Sequence, residues 1–247
     1  MDQYGLIGNP LKHSFSKGFF NDKFSAENID AEYINFEIPA IEEFKSIIKN
    51  HPQLRGLNVT IPYKEQVIPY LDKLSENAQL IGAVNVIKIE HSKKGKPLLT
   101  GYNSDIIGFK NSIEPLLQPH HTHALVLGSG GAAKAIYYGL TQLGVTPTYV
   151  SREKTSAAML IYSNLDEEIM KKNTVIVNCT PVGMWPHVDE CPHIPYHLLT
   201  KAHLLYDLLY NPNETLFMKK GKEQGAKVKN GLEMLLLQAF ASWDFWK

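Results

Sequence analysis

Asn58, Thr60 and Lys64 have the residue types and the spacing of a proton-transfer site. In the run Asn58-Val59-Thr60-Ile61-Pro62-Tyr63-Lys64, the first two are two positions apart, so a strand directs both side chains to one face. Pro62 has no N–H for a sheet ladder and is expected to end that strand. The apolar spacing that follows predicts a helix with Lys64 in its first turn, where the dipole disfavours a cation and eases proton transfer near neutral pH. A solvated surface lysine is the alternative interpretation.

Asp105 is the candidate partner of Lys64. It follows a strand pattern at residues 98–101 and precedes a helical pattern at residues 106–117, so it can be a helix cap. The alternative is that its carboxylate pairs with Lys64, and that the two groups share a proton network across a cleft.

Three further polar residues occupy positions where a ligand could bind. Ser14 and Ser16 precede an amphipathic stretch, where they can cap a helix or offer hydroxyls to a ligand carboxylate. Asn85 is the polar residue of an otherwise apolar run at residues 81–87. Its amide needs a partner, which is either structural or a ligand.

A glycine-rich turn predicts a nucleotide site in the second half of the chain. The apolar strand pattern at residues 124–127 runs into Gly128-Ser129-Gly130-Gly131-Ala132, and a helical pattern follows. Strand, glycine turn and helix N-terminus together hold a pyrophosphate through backbone N–H groups and the helix dipole. Ala133 replaces the third glycine of the usual spacing, which helix–strand packing permits.

The next strand pattern, residues 148–150, ends at Ser151-Arg152-Glu153-Lys154. An acidic residue at this point suits the ribose 2′-hydroxyl of NAD, whereas an arginine suits the 2′-phosphate of NADP. Arg152 and Lys154 favour NADP, and Glu153 counts against that preference.

Composition limits the remaining classes. The 247 residues are 44% hydrophobic, with 25 basic and 25 acidic side chains, so no net charge favours nucleic acid or a membrane surface. No apolar run has the length of a membrane span, and the first residues lack the shape of a signal peptide. Two cysteines are too few for a disulfide framework and favour a cytoplasmic location.

Two groups of histidines raise the alternative of a metal site. One is His120, His121 and His123, and the other combines His187, His193 and His197 with Cys191. Neither group has a recognised zinc spacing, so we predict no metal.

Eight motifs together resemble the shikimate dehydrogenase family, in the family's order and over nearly the whole chain. No single one is specific, but the set is. The motifs are Gly8-Asn9-Pro10 with His13-Ser14-Phe15-Ser16, the run Asn58 to Lys64, Gly82-Ala83-Val84-Asn85, Asn103-Ser104-Asp105 with Gly108-Phe109, the Gly128 turn, Asn178-Cys179-Thr180-Pro181-Val182-Gly183-Met184, Tyr206-Asp207 with Tyr210 and Pro212, and Gly231 with Met234 and Gln238.

The resemblance implies a two-domain α/β fold and a role for each candidate. An N-terminal α/β domain, residues 1–104 plus 232–247, would bind shikimate, and a Rossmann-like doubly wound domain, residues 105–231, would bind NADP. Lys64 and Asp105 would be the catalytic pair. Substrate-binding residues would be Ser14, Ser16, Asn58, Thr60, Asn85, Tyr210 and Gln238. Cofactor-binding residues would be Gly128, Ser129, Gly130, Gly131, Ala132, Ser151, Arg152, Lys154, Thr180, Leu208 and Gly231.

The implied activity is the reversible NADPH-dependent reduction of 3-dehydroshikimate to shikimate in aromatic amino acid biosynthesis, by a cytoplasmic monomer or homodimer. Two alternatives stay open: a non-catalytic binding relative, which would not need the Lys64–Asp105 pair, and a quinate dehydrogenase using NAD, which Arg152 disfavours. Residues 155–173 are shorter than the family's usual helix-plus-strand unit, so we expect a trimmed cofactor domain.

Overall fold

The computed structural model describes residues 1–11, 14–91, 95–153 and 156–247 and divides into two compact units. The first unit comprises Met1–Ser104 and Ala239–Lys247, and the second comprises Asp105–Gln238. Lys154 of the predicted cofactor site and His13 of the first quoted motif lie outside the described ranges.

Within its described residues, the first unit has a six-stranded mixed sheet and three α-helices that lie wholly inside it. The strands are β1 (Asp2–Gly8), β2 (Ala31–Glu37), β3 (Leu54–Val59), β4 (Lys73–Leu74), β5 (Val86–Glu90) and β6 (Leu98–Tyr102), and the helices are α1 (Phe15–Ala26), α2 (Phe44–Asn50) and α3 (Glu76–Ile81). The strand order is β2-β1-β3-β5-β6-β4, with β5 antiparallel to both of its neighbours.

The first unit's sheet is covered on both faces. Neighbouring residues of β1 and of β5 enter different hydrophobic clusters, because successive side chains of a strand point to opposite faces. Ile7 and Ile87 enter one cluster, and Leu6 and Val86 enter an aromatic one. The aromatic cluster contains Tyr4, Phe20, Phe24, Tyr33, Trp243 and Trp246.

The second unit contains a six-stranded parallel sheet among its described residues. The strands are β7 (His123–Leu127), β8 (Thr146–Ser151), β9 (Leu160–Ile161), β10 (Val175–Asn178), β11 (Leu204–Asp207) and β12 (Lys227–Lys229), and the helices wholly inside the unit are α4 (Asp105–Ile113), α5 (Gly131–Gln142), α6 (Glu167–Lys172) and α7 (Leu216–Glu223). Helix α8 (Leu232–Trp246) begins in the second unit and ends in the first. The order β12-β11-β10-β7-β8-β9 reverses between β7 and β10, as it does in dinucleotide-binding sheets. The predicted two-domain α/β fold with a Rossmann-like sheet is therefore confirmed.

The central strands of this sheet are buried on both sides, which explains their unbroken apolar sequences. Ala124 and Val126 of β7 face one cluster, and Leu125 and Leu127 face the other. The connection from β8 to β9 has no helix among its described residues, and β9 is two residues long. The short sequence after Arg152 thus forms a minimal crossover.

The division between the units falls inside α8, whereas the sequence-based boundary precedes that helix. Met234 packs into a cluster of the second unit, and Ala239, Trp243 and Trp246 pack into the aromatic cluster of the first. Gly108 of α4 explains the close packing at the start of α8, because a Cβ there would lie 2.5 Å from the Met234 carbonyl oxygen. The roles of the two units stay predictions.

In the part of the chain that the structure describes, no helix combines the length and the apolar character that a membrane span requires.

Candidate active site

Lys64 lies in a turn, so the prediction that it occupies the first turn of a helix is wrong. After β3 the chain turns through Thr60 and Tyr63, whose backbone O and N are 2.9 Å apart, and then forms a short 3₁₀ helix, Ile68–Tyr70. Pro69 within that segment lacks an N–H, so it cannot donate the hydrogen bond to residue 65 that an α-helix through Lys64 would require. The half-buried Lys64 is fixed through its backbone, because its carbonyl accepts a hydrogen bond from the Val84 N–H at 2.7 Å. A helix dipole therefore does not account for the reactivity of Lys64.

Asn58, which is half-buried, and Asn85, which is buried, lie in one polar cluster of the first unit. The Asn85 carbonyl accepts from the Asn58 side-chain N–H at 3.3 Å and from the Val59 N–H at 2.9 Å. The Asn85 side chain is 4% exposed, donates to the Ser104 hydroxyl at 3.0 Å and accepts from the Ser104 N–H at 2.7 Å. The amide predicted to need a partner has a structural one.

Ser14 and Ser16 are at the start of α1. Ser14 is the N-cap, and its Oγ accepts from the Lys17 N–H at 3.4 Å. Ser16 lies in the first turn of the same helix. The capping interpretation is confirmed for Ser14, and the carboxylate-binding interpretation of both serines stays a prediction.

Asp105, Tyr210 and Gln238 belong to the second unit. Asp105 is 2% exposed in the first turn of α4, where the helix dipole favours an anion. Burial raises the pKa of the half-buried Tyr210 hydroxyl. Gln238 lies on α8, where the absent side chain of Gly108 leaves room for it. Because Lys64 belongs to the first unit, its pairing with Asp105 stays a prediction.

The glycine-rich turn has the backbone that a pyrophosphate site requires. Gly128 has a φ of +105°, which L side chains rarely adopt, and it leads into Gly130, the N-cap of the 12-residue helix α5. A Cβ at Gly130 would meet no atom within 4 Å, so the backbone there is open to a phosphate group. Ser129 is exposed, and Gly131 and Ala132 form the first helical turn. These features fit NADP.

Arg152 directly follows β8, which ends at Ser151. Its side chain is exposed at the carboxyl end of the strand beside β7. This is the position at which a dinucleotide-binding sheet meets the adenosine ribose. A guanidinium here suits a 2′-phosphate.

Asn178 and Asp207 join the loops that follow β10 and β11. The Asp207 carboxylate accepts from the Asn178 amide at 3.0 Å, from the Leu209 N–H at 3.1 Å and from the Thr215 hydroxyl at 2.6 Å. The Asn178 amide oxygen accepts from the Thr180 N–H at 3.0 Å and from its hydroxyl at 2.6 Å. Burial raises the pKa of Asp207 to about 6.

Leu208 and Gly231 are brought together directly. A Cβ at Gly231 would lie 2.1 Å from the Leu208 carbonyl oxygen, so glycine is required at this contact. Gly128 and Thr180 are also neighbours, because a Cβ at Gly128 would lie 3.2 Å from the Thr180 methyl. The described cofactor candidates thus lie along the carboxyl ends of β7, β8, β10 and β11, with Gly231 held against the last of these.

Sequence reasoning assigned no role to Asn178, Asp207, Tyr33 or Ser242. The first two stand in the quoted motifs, at the ends of apolar strands, and a polar residue at such a position is the signal that identifies them. Tyr33 and Ser242 carry no such signal, since each is an ordinary member of an amphipathic element.

Two histidines of the first group make structural contacts. The Nε2 atoms of His120 and His121 lie 3.0 and 3.1 Å from the carbonyl oxygen of Ala202. Among residues 1–11, 14–91, 95–153 and 156–247, no group of three or more histidine, cysteine or acidic side chains has an arrangement that could hold a metal ion.

Comparison with known proteins gives full-length similarity. A family model described as the shikimate dehydrogenase substrate binding domain matches residues 6–87. The shikimate dehydrogenase (NADP(+)) of Aquifex aeolicus (strain VF5) is 39% identical over 257 residues, covering 98% of this chain and 90% of the relative. A crystal structure of shikimate dehydrogenase from Aquifex aeolicus has a TM-score of 0.87 and 37% identity, covering 100% of this chain and 92% of that one. The shikimate 5-dehydrogenase of Thermus thermophilus, in complex with NADP(H) and shikimate, has a TM-score of 0.85 and 28% identity, covering 100% of this chain and 94% of that one.

Proposed function

The chain belongs to the shikimate dehydrogenase family of NADP-dependent oxidoreductases, and we propose that it catalyses the reversible reduction of 3-dehydroshikimate to shikimate with NADPH. The observation that carries this proposal is the open glycine turn at the switch point of a parallel sheet, in a chain similar to shikimate dehydrogenases over its whole length. The reaction serves aromatic amino acid biosynthesis. The first unit binds the substrate, and the second binds the cofactor.

Lys64 and Asp105 carry the proton transfer. When carbonyl reduction turns the substrate oxygen into an alkoxide, the Lys64 ammonium donates a proton to it and stabilises the developing negative charge. The Asp105 carboxylate orients the lysine and the substrate hydroxyl. NADPH supplies the hydride when it is bound.

The remaining candidates orient the ring of the substrate. Ser14 and Ser16 bind its carboxylate: the cap uses Ser14 Oγ as an acceptor, so the hydroxyl hydrogen can still be donated. Asn58, Thr60, Asn85 and Gln238 bind its hydroxyls, and Tyr210 lines the pocket.

The second unit supplies the residues that contact the cofactor. The turn Gly128-Ser129-Gly130-Gly131-Ala132 binds the pyrophosphate, Ser151 and Arg152 bind the 2′-phosphate, and Thr180, Leu208 and Gly231 lie at the nicotinamide side. We expect a cytoplasmic enzyme, in keeping with its two free cysteines, that is a monomer or a homodimer.

The activity is tested by following absorbance at the reduced-nicotinamide band with purified protein and shikimate, with NADP and NAD in parallel. We expect rapid reduction of NADP and much slower reduction of NAD. Folded protein that reduces neither cofactor would contradict the proposal and favour a binding module.

The catalytic role of Lys64 is tested by Lys64→Ala. We expect kcat to fall by about 10²- to 10⁴-fold, the usual contribution of a positioned general acid, while the KM for shikimate changes far less. Lys73→Ala, which removes an exposed lysine on β4 of the same unit, is the matched control. A large loss of shikimate binding with kcat retained would contradict the assignment.

A further inference from the structure

Tyr33 is a buried phenol that bonds to the proposed substrate residue Asn58 and lies on the strand against which the helix of Ser16 packs. It lies on β2, is 1% exposed, and donates its hydroxyl hydrogen to the Asn58 amide oxygen at 2.7 Å. Ser16, a proposed carboxylate-binding residue on α1, acts on the same phenol, because it opposes the rise that burial causes in the pKa of Tyr33. The phenol thus contacts a proposed hydroxyl-binding residue on β3 and belongs to the strand against which α1 packs.

Helix α1 is fastened to the backbone of Tyr33. The Asn21 side chain accepts from the Tyr33 N–H at 2.8 Å and donates to the Tyr33 carbonyl at 3.2 Å. The ring of Phe20 stacks on the Tyr33 ring, with centroids 4.9 Å apart and planes 10° apart. Since Ser16 lies on this helix, its position relative to Asn58 is set through Tyr33.

The Asn58 amide is held in one of its two orientations. Its N–H groups donate to the Ser242 hydroxyl at 3.0 Å and to the Asn85 carbonyl at 3.3 Å. Rotation by 180° would place the Asn58 amide oxygen against the Asn85 carbonyl, which cannot donate. Both N–H positions are thus used inside the protein, and the amide oxygen has a second acceptor position beyond the one that Tyr33 fills.

The other end of the network is equally buried. Ser242 is 1% exposed, and its hydroxyl lies 3.2 Å from the hydroxyl of Ser104, which is 0% exposed and accepts from the Asn85 amide. Because these hydroxyls are buried from water, each one depends on its neighbour for a hydrogen bond. Loss of one hydroxyl therefore leaves an unsatisfied polar group.

We propose that Tyr33 is a positioning residue for shikimate, which holds Asn58 so that its amide oxygen accepts a hydrogen bond from a substrate hydroxyl and holds Ser16 at the matching distance. Ser242 supports the same orientation from the opposite side of the amide. The inference rests on the proposed function, since Asn58 and Ser16 are substrate residues only in that proposal.

The test is Tyr33→Phe, with shikimate affinity measured by calorimetry and by KM. We expect affinity to fall about tenfold, which is about 1.4 kcal/mol, because the Asn58 oxygen loses its internal donor. The KM for NADP, whose proposed contacts lie in the other unit, stays within about twofold, a split that a merely structural role would not produce.

Two further variants accompany it. Tyr206→Phe is the matched control, because it removes another buried tyrosine hydroxyl, 2.6 Å from the Ser112 hydroxyl in the second unit. Ser242→Ala removes the partner on the other side of Asn58 and is expected to weaken shikimate binding in the same direction.

Three outcomes would overturn the inference, and they separate it from the proposed function. Unchanged affinity in Tyr33→Phe, with weaker binding in Asn58→Ala and Ser16→Ala, would overturn the positioning role and leave the substrate residues in place. Unchanged affinity in all three would overturn both assignments. An equal loss in Tyr33→Phe and Tyr206→Phe would show a general loss of stability instead.

Discussion

Asp207 has no part in the proposed proton transfer, yet its ionisation should govern how the stability of the second unit depends on pH. Burial raises its pKa from 3.8 to about 6, against three hydrogen bonds that favour the carboxylate. The native state therefore holds the proton at pH values where the unfolded chain has lost it. Unlike an ion-paired aspartate, this group makes the protein less stable as pH rises from about 4 to about 6.

We expect Asp207→Asn to remove this dependence. Across that window, the free energy of unfolding of the unaltered protein should fall relative to the variant's by up to about 3 kcal/mol, the equivalent of a shift of about two pH units. Denaturant unfolding at a series of pH values measures the difference between the two proteins. Asp189→Asn, which removes an exposed carboxylate from the same unit, is the control. A constant difference between pH 4 and pH 7 would sink the prediction.

For single residues, the sequence indicates which side chains could do chemistry, but it does not indicate which contacts hold those side chains in position. Ser14 and Asn85 stand in recognisable motifs, so they could be named as candidates. The Asn58–Ser242 hydrogen bond joins residues 184 positions apart, and no local pattern predicts such a contact. The contacts of Tyr33 likewise depend on the register of β2 and on the residue at which α1 begins, and the sequence predicts neither.

Among the elements, the Gly128 turn makes the sharpest prediction. Its φ of +105° should make Gly128→Ala destabilising by about 1–2 kcal/mol, and the new methyl would crowd Thr180 at 3.2 Å. We expect the KM for NADP to rise, because the β7–α5 turn can no longer present its N–H groups to the pyrophosphate. Thermal unfolding and cofactor titration measure the two effects.

The variant Gly144→Ala distinguishes the effect of backbone strain from an effect on NADP binding. Gly144 also has a positive φ, +76°, and an added Cβ there would have no atom within 4 Å. It lies in the exposed turn after α5, outside the proposed cofactor contacts. This variant should lose stability and keep its affinity for NADP. If both variants lost affinity equally, the Gly128 turn would have no special part in binding.

Elements with long apolar runs were predictable, and those governed by prolines were not. Strand β10 and helix α8 coincide with apolar stretches of the sequence, because four consecutive buried residues and fifteen mostly apolar ones allow few alternative structures. Val67, Leu71 and Leu74 have helical spacing, but Pro69 interrupts the hydrogen bonds that an α-helix would need. The periodicity there reflects burial of a turn, a 3₁₀ helix and the short strand β4 against one cluster.

In the molecule as a whole, α8 is the helix that contributes side chains to the hydrophobic cores of both units. Trp246 is 5% exposed, its indole N–H donates to the Ile87 carbonyl at 3.1 Å, and its ring occupies the space that Gly56 leaves. Removal of such a side chain costs about 3–5 kcal/mol. The loss falls on the first unit, since Trp246 belongs to that unit's aromatic cluster.

We expect Trp246→Ala to lower hydrogen-exchange protection in β1, β3 and β5 much more than in β7, β10 and β11. Exchange followed by mass spectrometry resolves the two sets of strands. Trp185→Ala, at a side chain that is 57% exposed, is the control and should leave both sets protected. Equal loss of protection in both sets would show that the units unfold as one.

The division inside α8 also affects the order in which the two units can fold during synthesis. During synthesis, Met1–Ser104 leaves the ribosome long before Ala239, Trp243 and Trp246, whereas Asp105–Gln238 is a continuous segment. Domains usually fold in the order in which they are made. In this protein, the later segment, Asp105–Gln238, can complete its hydrophobic core first. Until the end of α8 is made, Tyr4, Phe20 and Phe24 of the nascent chain lack part of their packing. During that interval, these apolar side chains of the early segment stay more exposed to water than they are in the folded protein.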